Sequence, residues 1–485
     1  MLHLPLRASW LVSAAVLATA SCTHVQPPRA ADPRLARYAA AVDWQQAGDE
    51  TIAVLADFLR VDTRNPPGNE TLGATFFARL LEKEGIGSTV HEFAPGRGSL
   101  IARLPATGEK QDKPLCLLSH LDVVPAEDAQ WPADTQPLSG AVKDGFLWGR
   151  GALDMKGLGA LELMTMVLLK RGQVPLRRDV ILIAVADEEV HGGGMHQVVD
   201  TLWSELDCGV LINEGGVGLK SLVFEGQTVF AITVAEKGAL WVKLVARGEA
   251  GHGSTPVPTR APARLARVVT RLLARDPQPQ LHPALYELLA RVGANIGGAT
   301  GFALSHSALV DTFAISRLMG KPPTRAAITN TCQVTGYEGK GSAPNVIPSE
   351  VAAIVDCRVL PGTPVQVVID ELTALAASEE GVHIEVLAQQ PGSESSWDDP
   401  FFDALVRHLT AGRPHAVAGP AISPGYTDSN LARPKGAKAY GLVPFELDDE
   451  LLGTMHGKNE RVPLVEVRRG LGVLFNAVVD AAGRP

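Results

Sequence analysis

VILIAVADEEVHGGG, residues 180–194, sets an unbroken apolar run of seven residues against three carboxylates, Asp187, Glu188 and Glu189, and then three glycines. The apolar run has the composition of a strand. A strand buried on both faces has no room for carboxylates inside, so they belong at its carboxyl end, where open α/β sheets place their ligand sites. Successive residues leaving a strand point in opposite directions, which gives Glu188 and Glu189 different tasks: one can bind a cation while the other faces a bound water. Gly192, Gly193 and Gly194 let the backbone turn sharply with no side chain crowding the spot. Taken alone, the stretch reads equally as a solvated acidic turn or as a site. Its companions elsewhere in the chain decide.

Upstream, residues 115–119 form a short apolar strand that ends in His120-Leu121-Asp122. If the extended conformation persists, His120 and Asp122 project to the same side, so the carboxylate can orient the imidazole or lie beside it at a metal. Residues 149–157, GRGALDMKG, run into an apolar helix over 158–170, with Asp154 at or just before its start. There it is either a plain capping aspartate or a carboxylate shared by two cations. Downstream, the apolar run 208–212 ends in Asn213-Glu214-Gly215-Gly216. Three strand ends and one helix start thus carry His120, Asp122, Asp154, Glu188, Glu189 and Glu214, a repetition that surface solvation explains poorly. The alternation of strands and helices predicts an α/β fold with a largely parallel sheet and its site along one edge.

Around this region, 485 residues are too many for one ordinary core, and a net charge of −9 offers no basic footprint for nucleic acid. The texture changes near residue 236. The turn Gly251-His252-Gly253, a basic helix over 263–275, strands over 326–334 and 351–359 and a long helix-like middle suggest an inserted α+β domain over 236–390. Residues 45–235 and 391–485 then make the main domain, closed by a helix over 464–482 that starts after Pro463.

Residues 1–22 read as an export signal: Arg7 precedes an apolar stretch over 8–20, and small residues lead to Cys22. Ala18-Thr19-Ala20-Ser21-Cys22 resembles the lipobox of bacterial lipoproteins, which implies a lipid anchor at Cys22 and, with Thr23 following, an outer-membrane destination. Ordinary cleavage after Ala20, releasing a periplasmic or secreted protein, and an uncleaved anchor are the other readings. Residues 23–44 are a linker, and 23–36 read as a tether holding the body off a membrane. Cys116, Cys208, Cys332 and Cys357 show no C-x-x-C pair, and Cys116 and Cys357 lie in apolar strand-like runs, so buried thiols are expected rather than a bridge.

Read as one site, His120, Asp154, Glu189, Glu214 and His456 supply imidazoles and carboxylates without thiolates, a set that suits zinc, or cobalt or manganese. Two divalent ions against three ligand carboxylates leave positive charge that favours a bridging hydroxide as nucleophile. Glu188, beside a ligand yet not needed as one, is placed to take the water proton and hand it to a leaving amine.

The strings SHLDVVPA, GRGALDMKG, DEEVHGGG, NEGG and MHGKNE, in this order, resemble the co-catalytic di-zinc metallopeptidases that include aminoacylase, carboxypeptidase S, glutamate carboxypeptidase and acetylornithine deacetylase. The resemblance spans about residues 45–480 and is nearest the carboxypeptidase S and N-acyl-amino-acid hydrolase branch. It implies a zinc-peptidase catalytic domain with an inserted lid and dimerisation domain, and two Zn(II) ions. His120 and Glu214 would hold one ion, Glu189 and His456 the other, and Asp154 would bridge. Asp122 would stand behind the ligands and Glu188 would be the general base. It further implies that His252 helps polarise the scissile carbonyl, in homodimers from the partner subunit, and that Asn345 and Arg358 bind the substrate carboxylate. A surface salt bridge is the alternative for Arg358. The substrate class implied is a short peptide or an N-acyl amino acid. A silent peptide-binding lipoprotein on the same scaffold is a competing reading. So is a serine hydrolase using His191-Gly192-Gly193-Gly194, against which stands the lack of any G-x-S-x-G elbow.

Overall fold

The computed structural model describes residues 23, 25–255, 257–339 and 343–485. The signal-like segment 1–22, with Cys22, lies outside them. Twelve strands carry the architecture: β1 (Ser88–Ala94), β2 (Arg97–Leu104), β3 (Leu115–His120), β4 (Val180–Val185), β5 (Val210–Lys220), β6 (Thr228–Glu236), β7 (Gly238–Arg247), β8 (Thr331–Gly339), β9 (Glu350–Val359), β10 (Val382–Gln390), β11 (Ala416–Ser423) and β12 (Lys438–Leu447). The main helices are α1 (Trp44–Leu59), α2 (Glu70–Lys83), α3 (Lys156–Arg171), α4 (Ala261–Leu273), α5 (Pro283–Ile296), α6 (Val365–Ala376), α7 (Pro400–Thr410) and α8 (Leu464–Ala482).

The main sheet runs β1-β2-β4-β3-β5-β12-β6, with β11 on β6, and its centre is parallel: β4 with β3, β3 with β5, β5 with β12. All six residues of β4 are buried. Val180, Leu182 and Ala184 face one core with helices α1, α3 and α8, while Ile181, Ile183 and Val185 face a second core with Met195, Val198 and Trp203. This period-two division explains why the run is apolar at every position. Each large apolar side chain so buried contributes about 1.5–3 kcal/mol.

Strands β8-β9-β7-β10 form a separate antiparallel sheet, covered on one face by α4 and α6 through Leu265, Val268 and Leu372. The strand expected over 326–334 begins at Thr331, because Pro322–Ile328 is helical. Helix α5 packs on the main sheet instead, with Leu288 and Val292 against Val229 of β6 and Val417 of β11. Residues 25–36, within the stretch read from sequence as a stand-off tether, are laid on the body. Leu35 is buried, Arg29 pairs with Asp398 and, at 3.0 Å, with Asp403, and Ala36–Ala40 is a helical turn.

The expectation of free thiols is overturned. Cys116 is bonded to Cys208, and Cys332 to Cys357. The cause is pairing that sequence spacing conceals: Cys332 lies directly opposite Cys357 across β8 and β9, and Cys208 lies just before Gly209 and β5, the strand beside β3. The Cys116–Cys208 bond closes 92 residues. Replacing both cysteines by serine should lower stability by roughly 2–5 kcal/mol, measured as a shifted denaturation midpoint; an unchanged midpoint would contradict a structural role.

Candidate metal centre

The carboxyl ends of β3 and β4, a bulge in β5 and the loops before α3 and α8 converge on one spot. His120 closes β3, and its Nδ1 lies 2.9 Å from the Asp122 carbonyl oxygen, leaving Nε2 to face Asp154 Oδ1 at 3.1 Å and Glu214 Oε2 at 3.8 Å. His456 Nε2 lies 2.9 Å from Asp154 Oδ2 and 3.3 Å from Glu189 Oε2. Two triads, His120–Asp154–Glu214 and Asp154–Glu189–His456, therefore offer ligand atoms within 4.8 Å of one another and share one carboxylate.

Glu214 does not sit at a strand end, as the sequence suggested. Strand β5 continues to Lys220, and the register with β12 jumps between Asn213 and Gly216, so that Glu214 and Gly215 are left unmatched. Such a bulge re-aims a side chain. Gly216 is required there, since a Cβ would lie 1.5 Å from the Ala231 carbonyl oxygen. Asp187 and His456 adopt φ of 71° and 58°, a left-handed backbone that non-glycine residues take up chiefly where the surroundings compel it.

Asp122 holds the turn in place by accepting the Glu188 and Glu189 amides at 3.1 and 3.2 Å. Behind it, Asn65 donates to both Asp122 and Asp187 at 2.9 Å, and Arg97 joins Asp187 to buried Glu70. Nothing in the spacing of residues 62–70, a run of turn-forming residues, marks this support.

A second brace lies within two of the quoted motifs. Buried Glu460 accepts the amides of Leu153 (2.8 Å) and Asp154 (3.2 Å) and pairs with Arg150 at 2.6 Å. Arg150 donates in turn to the carbonyls of His456 and Gly457 at 3.1 and 2.7 Å. One ion pair thus fixes the backbone of the shared ligand and that of His456. Glu460→Gln should weaken metal retention by roughly 10–100-fold, read by competition with a chelator; retention equal to the parent's would separate this pair from the ligands.

The electrostatics call for cations. Burial pushes Glu188 well above the carboxylate range, with Glu214's charge adding to it; burial and Asp154 push Glu214 up to about 8, and burial pushes Asp428 up to about 8. Burial opposes charge on Asp154 too, yet hydrogen bonds from His120 and His456 hold it far below that range, and the same contact with Asp154 raises His456 to about 10. Buried Glu189 Oε1 has no hydrogen-bond partner among the described residues. Two imidazoles amid this many carboxylates form a donor set that metal ions fit.

The ligands open into a cavity of about 860 Å³ whose lining includes Glu188, Trp241, Arg358, Tyr426, Asp428 and Met455. Arg358 reaches the cavity and also pairs with Asp356 at 3.0 Å. His252, in a two-stranded ribbon of Gly251–His252 and Val346–Ile347, faces Asn345 at 3.4 Å, and neither lines the cavity.

The sequence profile of peptidase family M20/M25/M40 matches residues 116–480. The chain belongs to that family. Among curated relatives of this M20 chain, the human N-fatty-acyl-amino acid synthase/hydrolase PM20D1 is 30% identical over 383 residues, covering 76% of this chain and 74% of the relative. Aminoacylase-1B of Rattus norvegicus is 26% identical over 445 residues, covering 90% and 96%. Among solved structures, the M20 family metallo-carboxypeptidase Sso-CP2 from Sulfolobus solfataricus superposes with a TM-score of 0.68 at 17% identity, covering 89% of this chain and 99% of that one. The α/β fold with a largely parallel central sheet is thus the fold of its M20 neighbours.

Proposed function

We propose that the chain is an exported di-zinc hydrolase that cleaves an amide bond beside a free carboxylate, releasing an amino acid from a short peptide or an N-acyl amino acid. The observation that carries this is the single cavity lined at once by members of both ligand triads, Glu188 and Arg358. Bound at the triads, two zinc ions would polarise the scissile carbonyl and make a water nucleophilic near neutral pH. His120, Asp154 and Glu214 would hold one ion, and Asp154, Glu189 and His456 the other. Cobalt or manganese would suit the same donors. Glu188, in neither triad, takes the proton of the attacking water and passes it to the departing nitrogen. The Arg358 guanidinium receives the substrate carboxylate. Asp122 orients His120 and the Glu188–Glu189 backbone.

His252 and Asn345, paired with each other away from the cavity, support a homodimer in which they complete the partner's site. Two disulfides support an oxidising compartment, hence export to the periplasm or beyond, with Cys22 as the lipid-bearing residue. Relatives named for N-fatty-acyl amino acids and as an aminoacylase favour the acylase side of the substrate range. The test is a screen of dipeptides against N-acyl amino acids, each with and without chelator. Chelator-sensitive release of free amino acid is expected. Chelator-insensitive release, or release from substrates whose carboxylate is blocked at an undiminished rate, would overturn the reading.

A further inference from the structure

Phe302 and Phe313 are 60% and 69% exposed, and Ile296 is 40% exposed. They lie within residues 296–319, a stretch that contributes neither to the metal ligands nor to the cavity lining. The stretch is braced. Helix α5 is anchored on the main sheet, Gly298–Leu304 lies against both α5 and Val310–Ala314, the His306 ring sits over Phe302 with centroids 4.0 Å apart, and the Tyr286 hydroxyl donates to Asp311. Single exposed apolar residues need no explanation, but two phenylalanines presented on neighbouring braced turns form a surface suited to an apolar partner.

The start of the body identifies that partner. The Thr23 amide donates to the Ser305 carbonyl at 2.9 Å, so Thr23 is held on this same stretch. Cys22 is the preceding residue. Further along, Arg29 is held to the body by its pair with Asp403. A lipid on Cys22 would therefore bring this surface to the headgroups within about one residue's reach, ~3.8 Å. Residues 296–319 carry one acid, Asp311, and one base, Arg317, so in a chain of net charge −9 this stretch meets a bilayer without net charge of its own to repel it. No helix among the described residues is long and apolar enough to cross a membrane, so the contact is interfacial.

We propose that residues 296–319 dock on the bilayer that holds the lipidated Cys22, with Phe302 and Phe313 seated at the boundary between headgroups and acyl chains. The inference rests on the lipoprotein reading above, and the test keeps the two apart. Full-length protein carrying Phe302→Cys, Phe313→Cys or, on the lid sheet, Tyr337→Cys is labelled with a nitroxide. It is then mixed with vesicles of phosphatidylethanolamine and phosphatidylglycerol, and the mature N terminus is read by mass spectrometry. At 302 and 313, collisions with an aqueous nickel reagent should be lost and those with oxygen gained, while 337, itself 68% exposed, stays aqueous. An acylated chain whose 302 and 313 labels stay aqueous overturns the docking and leaves the anchor. An unacylated chain whose labels enter the lipid upholds the docking and removes the anchor. Labels immobilised without lipid contact in a dimeric chain would assign the surface to a second copy and overturn the proposal.

Discussion

Glu188→Gln should lower kcat by ~10²–10⁴-fold while the metal content and KM stay near those of the parent. The carboxylate belongs to neither triad, so its loss removes no ligand. Its burial beside Glu214 raises its affinity for a proton, which means that in the metal-free protein its charged form opposes folding at any pH above the ordinary carboxylate range. The uncharged amide avoids that penalty. Metal-free Glu188→Gln should accordingly melt no lower than the metal-free parent at neutral pH. Steady-state kinetics, metal analysis and a thermal melt of one preparation check all three points, and retained turnover would remove Glu188 from the proton-transfer role.

Asp154→Asn strikes both ion sites together. Its two oxygens face different histidines, at 3.1 and 2.9 Å, and no other residue belongs to both triads. Loss of partners that merely support a ligand costs roughly 10–100-fold in metal affinity. Loss of the shared ligand should exceed that, leaving at most one ion and no measurable turnover. Titration with zinc against a competing chelator gives the stoichiometry, and a variant that still binds two ions with parental affinity would show that Asp154 does not bridge.

Much of this arrangement was legible in the chain because its chemistry sits where periodicity breaks. An apolar strand that stops at a carboxylate announces both the sheet and its functional edge, which is why β3 and β4 could be read with His120, Glu188 and Glu189 attached. Glu214 followed the same pattern for a different reason. Its strand does not stop but bulges, and a bulge with two glycines looks like a strand end until its neighbours β6 and β12 are known. The supporting shell was hidden. Arg150 and Glu460 are separated by 310 residues, and only the folded loops reveal that they clamp Asp154 to His456. The disulfides are hidden in the sequence because cysteines in apolar runs look alike whether or not a partner strand carries another.

Diffraction from zinc-soaked crystals at the zinc absorption edge tests the shared two-ion centre most directly. Two anomalous peaks are predicted, one on either side of the Asp154 carboxylate, the first beside His120 and Glu214 and the second beside Glu189 and His456. A single peak, or two that do not share Asp154, would contradict it.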